Sequence, residues 1–329
     1  MSRVKLKIRS KKDSTLQNKR RLIVLILLVL CGITLVIVSK AATTAVGLEP
    51  ESGTVISNAS VTNDQTASNV KAIKFSAPNN DPKCSSLSNL KFCDDFDGAA
   101  NSAPDSSKWS VLTGSSWGGH CFRNARENIA TDGQGNMKFT LIDKGSTQCT
   151  DSTGEPTSVT SGGMDTGGKQ YFQYGKYEIN AKISCAQSVW GAIWTSTGTG
   201  PSWPQSGEID MYEVIGTQLN RLQQTVWAGN PKWHKDTYYT IPTRLCDGFH
   251  VYGMDWRAGY IQFTLDGVNT DRITKTESEA AGNIWPFDSY NQRLLIDLQY
   301  GGPGWPWQGP FDLNELPSSM LVDYVHIFN

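Results

Sequence analysis

The chain has 329 residues, with 30 Lys and Arg against 31 Asp and Glu and a formal net charge of −1. That near-neutral total hides a division. Residues 1–21 hold nine Lys or Arg and one acid, Asp13, which leaves 21 basic and 30 acidic residues in the remainder. An acidic body without a basic stripe argues against a nucleic-acid partner, because phosphate binding rests on clustered Lys and Arg.

Residues 1–21 read as a basic cytoplasmic head. Behind it Leu22–Val38, LIVLILLVLCGITLVIV, is free of charge. The run is slightly short for a standard membrane span and slightly long for a signal-peptide core. Ser39 and Ala41 in VSKAAT put small residues where a signal peptidase cuts. Segment 22–40 is therefore expected to be a signal peptide or a retained membrane anchor, with both readings open. The cations hold the head inside and send the rest outward, which predicts an extracellular or cell-surface body. It touches the membrane through the N-terminal helix only if that helix is uncleaved.

Residues 41–83, rich in Ala, Thr, Ser and Asn, read as a linker. The short alternating runs GTVIS and VKAIKF resemble the ends of bacterial carbohydrate-binding sandwiches. About thirty residues cannot bury an independent core, so a β-ribbon is the most they support. The sequon at Asn58 lies in this stretch. Beyond Cys31 stand six cysteines, at 84, 93, 121, 149, 185 and 246. In an oxidising compartment six allow three disulfides and fifteen pairings. The short loop between Cys84 and Cys93 makes that pairing the one specific expectation. Zinc is disfavoured, since no Cys-x-x-Cys pair exists and histidines number four.

From Cys84 to Asn329 the chain reads as one all-β domain, a sandwich of antiparallel sheets. Strand-like runs recur: NMKFTLID, YGKYEINAKIS, VWGAIWTS, GEIDMYEV, HVYGMDW, YIQFTLDG, QRLLIDLQY and MLVDYVHIF. The Asp-Gly of LDGV signals a hairpin turn. In VWGAIWTS, Trp190, Ala192 and Trp194 share one face, while Gly191, Ile193 and Thr195 share the other. In YIQFTLDG, Ile261, Phe263 and Leu265 oppose Gln262 and Thr264. A sheet face carrying tryptophans and carboxylates suits a sugar chain, whose rings stack on indoles.

GEIDMYE places Glu208, Asp210 and Glu213 within six residues. On a regular strand the first two share a face and Glu213 points away. A β-bulge at Met211–Tyr212, with two residues opposing one, returns Glu213 to that face. Two carboxyls converging to about 5 Å are the machinery of a retaining glycosidase, one as nucleophile and one as acid/base. Asp210 between them contacts the nucleophile, and crowding raises one pKa. A solvated strand gains nothing from adjacent like charges. The apolar residues between the acids make poor calcium ligands.

SGEIDMYEVIG resembles the bulged active-site signature of glycoside hydrolase family 16. KFCDDFDG, ENIATDGQGNMKFTL, SGGMDTGGKQYFQYGKYEINAKI and VWGAIWTS are similar to its earlier blocks. FHVYGMDWRAGYIQFTLDG and GGPGWPWQGP…MLVDYVHIF look like its last strands. The resemblance spans about residues 90–329 in the family's order. It implies a concanavalin-like β-jelly roll of two curved sheets, with Glu208 as nucleophile, Asp210 as assisting acid and Glu213 as acid/base. It further implies that Trp203 floors the subsite before the scissile bond and that Asn128 bonds sugar on the non-reducing side. Asp323 matches an aspartate that holds a structural calcium in many members, with a simple salt bridge as the other reading. No cofactor is expected for catalysis.

Two departures stand out. Trp227, in QQTVWAG, replaces a histidine, and is read as an extra stacking platform. DLQYGG brings Asp297 and Gln299, and both departures are expected near the cleft. The expected substrate is a β-1,3- or mixed β-1,3/1,4-glucan, cleaved internally by a monomer. A galactan, a transglycosylase and a non-catalytic carbohydrate-binding protein on the same fold are the alternatives.

Overall fold

The computed structural model describes residues 83–229, 232–301 and 312–329, and the backbone of 59–63 and 71–75. Leu22–Val38, Asn58 and GTVIS lie outside the described residues, as do positions 302–310 of the GGPGWPWQGP stretch and Phe311 after it. Among the described residues no helix is long and apolar enough to cross a membrane. Ala59–Asn63 and Lys71–Phe75 pair antiparallel as a ribbon, so VKAIKF is a strand. The ribbon belongs to a unit that ends at Asp81, and a second compact unit runs from Pro82 to Asn329.

That second unit is an all-β sandwich. One sheet has seven strands, all antiparallel. Its order is Trp233–Thr240, Arg221–Ala228, Glu208–Ile215, Val189–Thr197, Gln292–Tyr300, Gly163–Asp165 and Ser110–Val111. The other sheet has eleven strands, and Gly175–Lys182 and Ser318–Phe328 lie in its middle. Ile193, Ile209, Val226 and Leu298 of the first sheet meet Ile179, Tyr252, Phe263 and Val325 of the second in one core. Each such side chain, withdrawn from water, contributes about 1.5–3 kcal/mol.

All eight strand-like runs form strands. Period-two patterning decides their faces: Ile261, Phe263 and Leu265 are core, as the alternation requires. Asp266 and Gly267 take φ of 51° and 75°, the backbone of a type I′ turn, and close the hairpin onto Val268–Thr274.

One pairing departs from the antiparallel expectation. Val159–Ser161 runs parallel to Cys121–Phe122. Parallel neighbours need a long crossover, and the intervening chain supplies it, including the strand Met137–Asp143.

Three disulfides close the domain: Cys84–Cys93, as expected from its short loop, with Cys121–Cys149 and Cys185–Cys246.

Candidate active site

The outward face of the seven-stranded sheet floors a cavity of about 890 Å³, at the upper end of ligand pockets. Its walls include Trp190, Trp194, Trp203, Glu208, Asp210, Glu213, Trp227, Lys232 and Asp236. Trp190, Ala192 and Trp194 all line it, as their shared face requires.

The three acids meet here because Glu208–Ile215 is bulged. Against Arg221–Ala228, Asp210 faces Thr225 and Glu213 faces Gln223, so Met211 and Tyr212 together oppose Gln224 alone. Against Val189–Thr197, Tyr212 faces Ile193 and Asp210 faces Trp194, and Met211 is passed over. Ile209, Met211, Tyr212 and Val214 all turn into the core.

Neighbouring side chains fit the irregularity. The buried Gln224 donates its amide to the Met211 carbonyl at 3.0 Å, a carbonyl that the bulge takes out of the ladder. Tyr212 packs against Tyr252 with ring centroids 4.6 Å apart. A Cβ on Gly191 would lie 2.9 Å from the Tyr212 hydroxyl, so a glycine there leaves the ring its space.

Glu208 enters its strand from a turn with no room for a side chain at Gly207. That residue has φ of 87°, and a Cβ would meet Phe287 at 2.5 Å. The same loop presents Trp203, 42 % exposed, whose indole hydrogen-bonds Glu208. Trp227 is the register partner of Glu208, tilted against Trp203 at 6.1 Å and stacked on His234 at 4.2 Å.

The two glutamates have different electrostatic surroundings. Burial pushes Glu208 up to about 8, while the Lys232 ammonium and the Trp203 indole pull it down. Burial also pushes Glu213 up to about 8, and there the carboxylates of Glu208, Asp236 and Asp297 add to the rise. The Trp190 indole alone among its named neighbours acts downward. Asp210 is 5 % exposed and is held well above the carboxylate range by burial, Glu208 and Glu213. Chemically this is a proton-retaining cluster in which Glu208 alone has a cation among the groups acting on it.

Both departures lie at the cavity: Trp227 and Gln299 line it. Asp297 is fully buried and accepts from the Trp194 indole at 2.8 Å.

Asn128 and Asp323 lie outside the cavity lining. Asn128 is fully buried and donates to the Thr140 carbonyl and the Thr160 hydroxyl, at 3.0 and 3.1 Å. Both amide hydrogens are thereby engaged in tying strands together, and Asn128 does not line the cavity. Asp323 sits on the eleven-stranded sheet and accepts from the Asn180 amide at 3.1 Å. Among the described residues it belongs to no group of three His, Cys, Asp or Glu at ligand distance.

Sequence reasoning missed Lys232, Asp236, Tyr238, Arg221, Arg293 and Trp117, all of which line the cavity. A signal existed for two of them. In WHKDTYYT, Asp236 and Tyr238 share a face at period two. Trp117 stands in GSSWGGH, where no period marks it, and meets Trp194 edge-on at 5.1 Å.

The profile of Glycosyl hydrolases family 16 matches residues 121–311. A beta-glucanase of Rhodothermus marinus is 28% identical over 257 residues, covering 73% of this chain and 84% of that protein. A keratan-sulfate endo-1,4-beta-galactosidase of Sphingobacterium multivorum is 32% identical over 187 residues, 53% of this chain and 41% of that protein. Among solved structures, the laminarinase from Rhodothermus marinus matches with a TM-score of 0.63 at 25% identity, over 73% of this chain and 96% of that one.

Proposed function

The chain belongs to glycosyl hydrolase family 16, and from that premise we propose that it is a retaining, endo-acting glycosidase of β-glucans. One observation carries the mechanism: the bulge brings Glu208, Asp210 and Glu213 to one face in unlike electrostatic surroundings. Along the partner strand Glu208 and Glu213 are four residue steps apart, about 13 Å at Cα. Glutamates leaning toward each other over Asp210 close this to the ~5–5.5 Å of a double displacement.

Glu208 attacks the anomeric carbon as Glu213 protonates the departing glycosidic oxygen. The bond from carbon to the leaving sugar breaks, and a glycosyl ester on Glu208 forms. Glu213, now ionised, takes a proton from water, which attacks the same carbon and releases Glu208. Two inversions restore the configuration. Asp210, protonated beside Glu208, steadies the carboxylate as its charge changes. Trp203 and Trp227 flank the sugar on the donor side. On the leaving side stand Trp190, Gln223 and the Arg221–Tyr238 stack, whose cation lies 3.9 Å from the ring centroid.

The β-1,3- or mixed β-1,3/1,4-glucan assignment is supported by the beta-glucanase and laminarinase relatives. The keratan-sulfate relative makes a galactan the second reading. The sandwich is read as the family's jelly roll, and the basic head with its apolar run as an export signal or anchor that delivers it outside the cell. Catalysis uses side chains alone in this reading.

A panel of β-glucans and galactans, with product size and anomer followed by NMR, tests the proposal. Internal cleavage of a glucan with first-formed β-anomer is expected. Glu208→Gln should keep the fold and lower turnover by roughly three or more powers of ten. Near-full activity in that variant on every accepted glycan would remove Glu208 from its role. Products longer than the substrate would mark transfer to a sugar rather than to water.

A further inference from the structure

Lys232 lies at the turn between Arg221–Ala228 and Trp233–Thr240. Its ammonium is 4.5 Å from the Trp203 ring centroid and 4.3 Å from that of Trp227. A cation over two indole faces at these distances is attracted by both ring quadrupoles, so the ammonium has a preferred position although its residue is exposed. Both rings also contact the Glu208 end of the cavity: Trp203 hydrogen-bonds that carboxylate and Trp227 is its register partner. The two tryptophans thus place a positive charge beside one glutamate of the pair.

The other charged groups around Glu208 do not substitute for it. On its own strand stand Asp210 and Glu213. From Trp233–Thr240 come Asp236 and His234, which face each other at 3.7 Å. Arg293, from Gln292–Tyr300, is engaged by Asp165 at 3.0 Å, and Asp297 on that strand is bound by Trp194. Arg221 stacks on Tyr238 and stands six residues along its strand from Trp227. Among the described residues Lys232 forms no ion pair at contact distance, and it is the strongest influence opposing burial at Glu208.

We infer that Lys232 is a positioning residue that assigns the nucleophile's role to Glu208 and leaves Glu213 the proton donor. The inference deepens the function proposed above and rests on its assignment of roles. It gives a purpose to a lysine that touches neither the scissile bond nor an acid partner: the two indoles are its mount. A sugar bound beside those rings covers the ammonium and excludes water from it, and a dry site strengthens its hold on the carboxylate.

The test uses the full chain with glutamate labelled by 13C at the carboxyl, Glu208 being identified by the signal lost in Glu208→Gln. In Lys232→Met the Glu208 titration should move up by about one pH unit, a tenfold change in proton affinity, with the Glu213 curve moved less. The acid limb of kcat/KM on an accepted glucan should move up by the same amount, and Lys232→Arg should restore it. Thermal unfolding of each variant, matched to wild type, separates this from a folding defect; Lys232→Gln provides a second neutral side chain if Met does not fold. An unmoved Glu208 titration in a folded neutral variant would overturn the inference. The titration needs no turnover, so a wild-type chain inactive on every glycan would defeat the proposed function while Lys232 could still be scored.

Discussion

Glu213 is a side chain whose usefulness opposes the stability of the fold. Burial and neighbouring carboxylates raise its carboxyl from 4.5 in the open chain to about 8 in the folded one. A group raised on folding contributes stability that is fully present below the lower value. That stability drains away as pH climbs through the upper one, because the folded state must then hold a charge it resists. Glu213→Gln removes the charge and keeps the shape. It should raise the melting temperature by a few degrees near pH 8.5 and by much less near pH 5, while abolishing most activity on glycans with poor leaving groups. Calorimetry at the two pH values checks this, and an equal gain at both would count against the buried charge. Asn128 shows the limit of reading single residues. An asparagine matching a family position carries no mark of where its amide points, and hydrogen bonds to Thr140 and Thr160 decided that here.

At the scale of the strand, the spacing of three acids was enough to foretell the bulge, because only a two-for-one opposition turns Glu213 back to Asp210's face. What the spacing did not reveal was the partner that satisfies the bulge. Gln224 is buried among Leu222 and Val226 and answers the Met211 carbonyl, while Thr270 donates to its own oxygen at 2.5 Å. Gln224→Leu should strand that buried carbonyl, at a cost of about 1–3 kcal/mol, while the half-exposed Thr270 hydroxyl turns to water. Denaturant melts would read the loss. If the bulge holds Glu213 in place, kcat falls with KM little changed.

Elements with an apolar stripe were legible, as VWGAIWTS and QRLLIDLQY were. Trp233–Thr240 was not, since this edge strand alternates His234, Asp236 and Tyr238 with a core face on which Lys235 and Thr237 separate the two aromatics, Trp233 and Tyr239. The helix Lys275–Ala280 was missed although its capping box, Thr274 with Glu277, is spelled out in the sequence.

For the molecule as a whole, an even set of outward cysteines announced disulfides but fixed only one partner. The others join residues 28 and 61 positions apart, which only the folded sheets bring together. Cys185–Cys246 closes the longest of the three loops, and in the chain-entropy view long loops gain most from closure. Replacing both cysteines with Ala should destabilise the domain by about 2–4 kcal/mol, read as a lowered melting temperature with the midpoint insensitive to reductant at that bridge. The all-β class was legible because it follows from periodicity.

The hairpin of Arg221–Ala228 and Trp233–Thr240 has a further meaning. It contributes Arg221, Gln223, Trp227, Lys232, Asp236 and Tyr238 to the cavity, yet none of the three central acids. One bank of the groove is therefore a single uninterrupted piece of chain at the margin of the sheet, open to exchange by one recombination event. A lineage that exchanged that piece would change its sugar contacts and keep its bond-breaking strand only if Gln224 and Lys232 came with the new one.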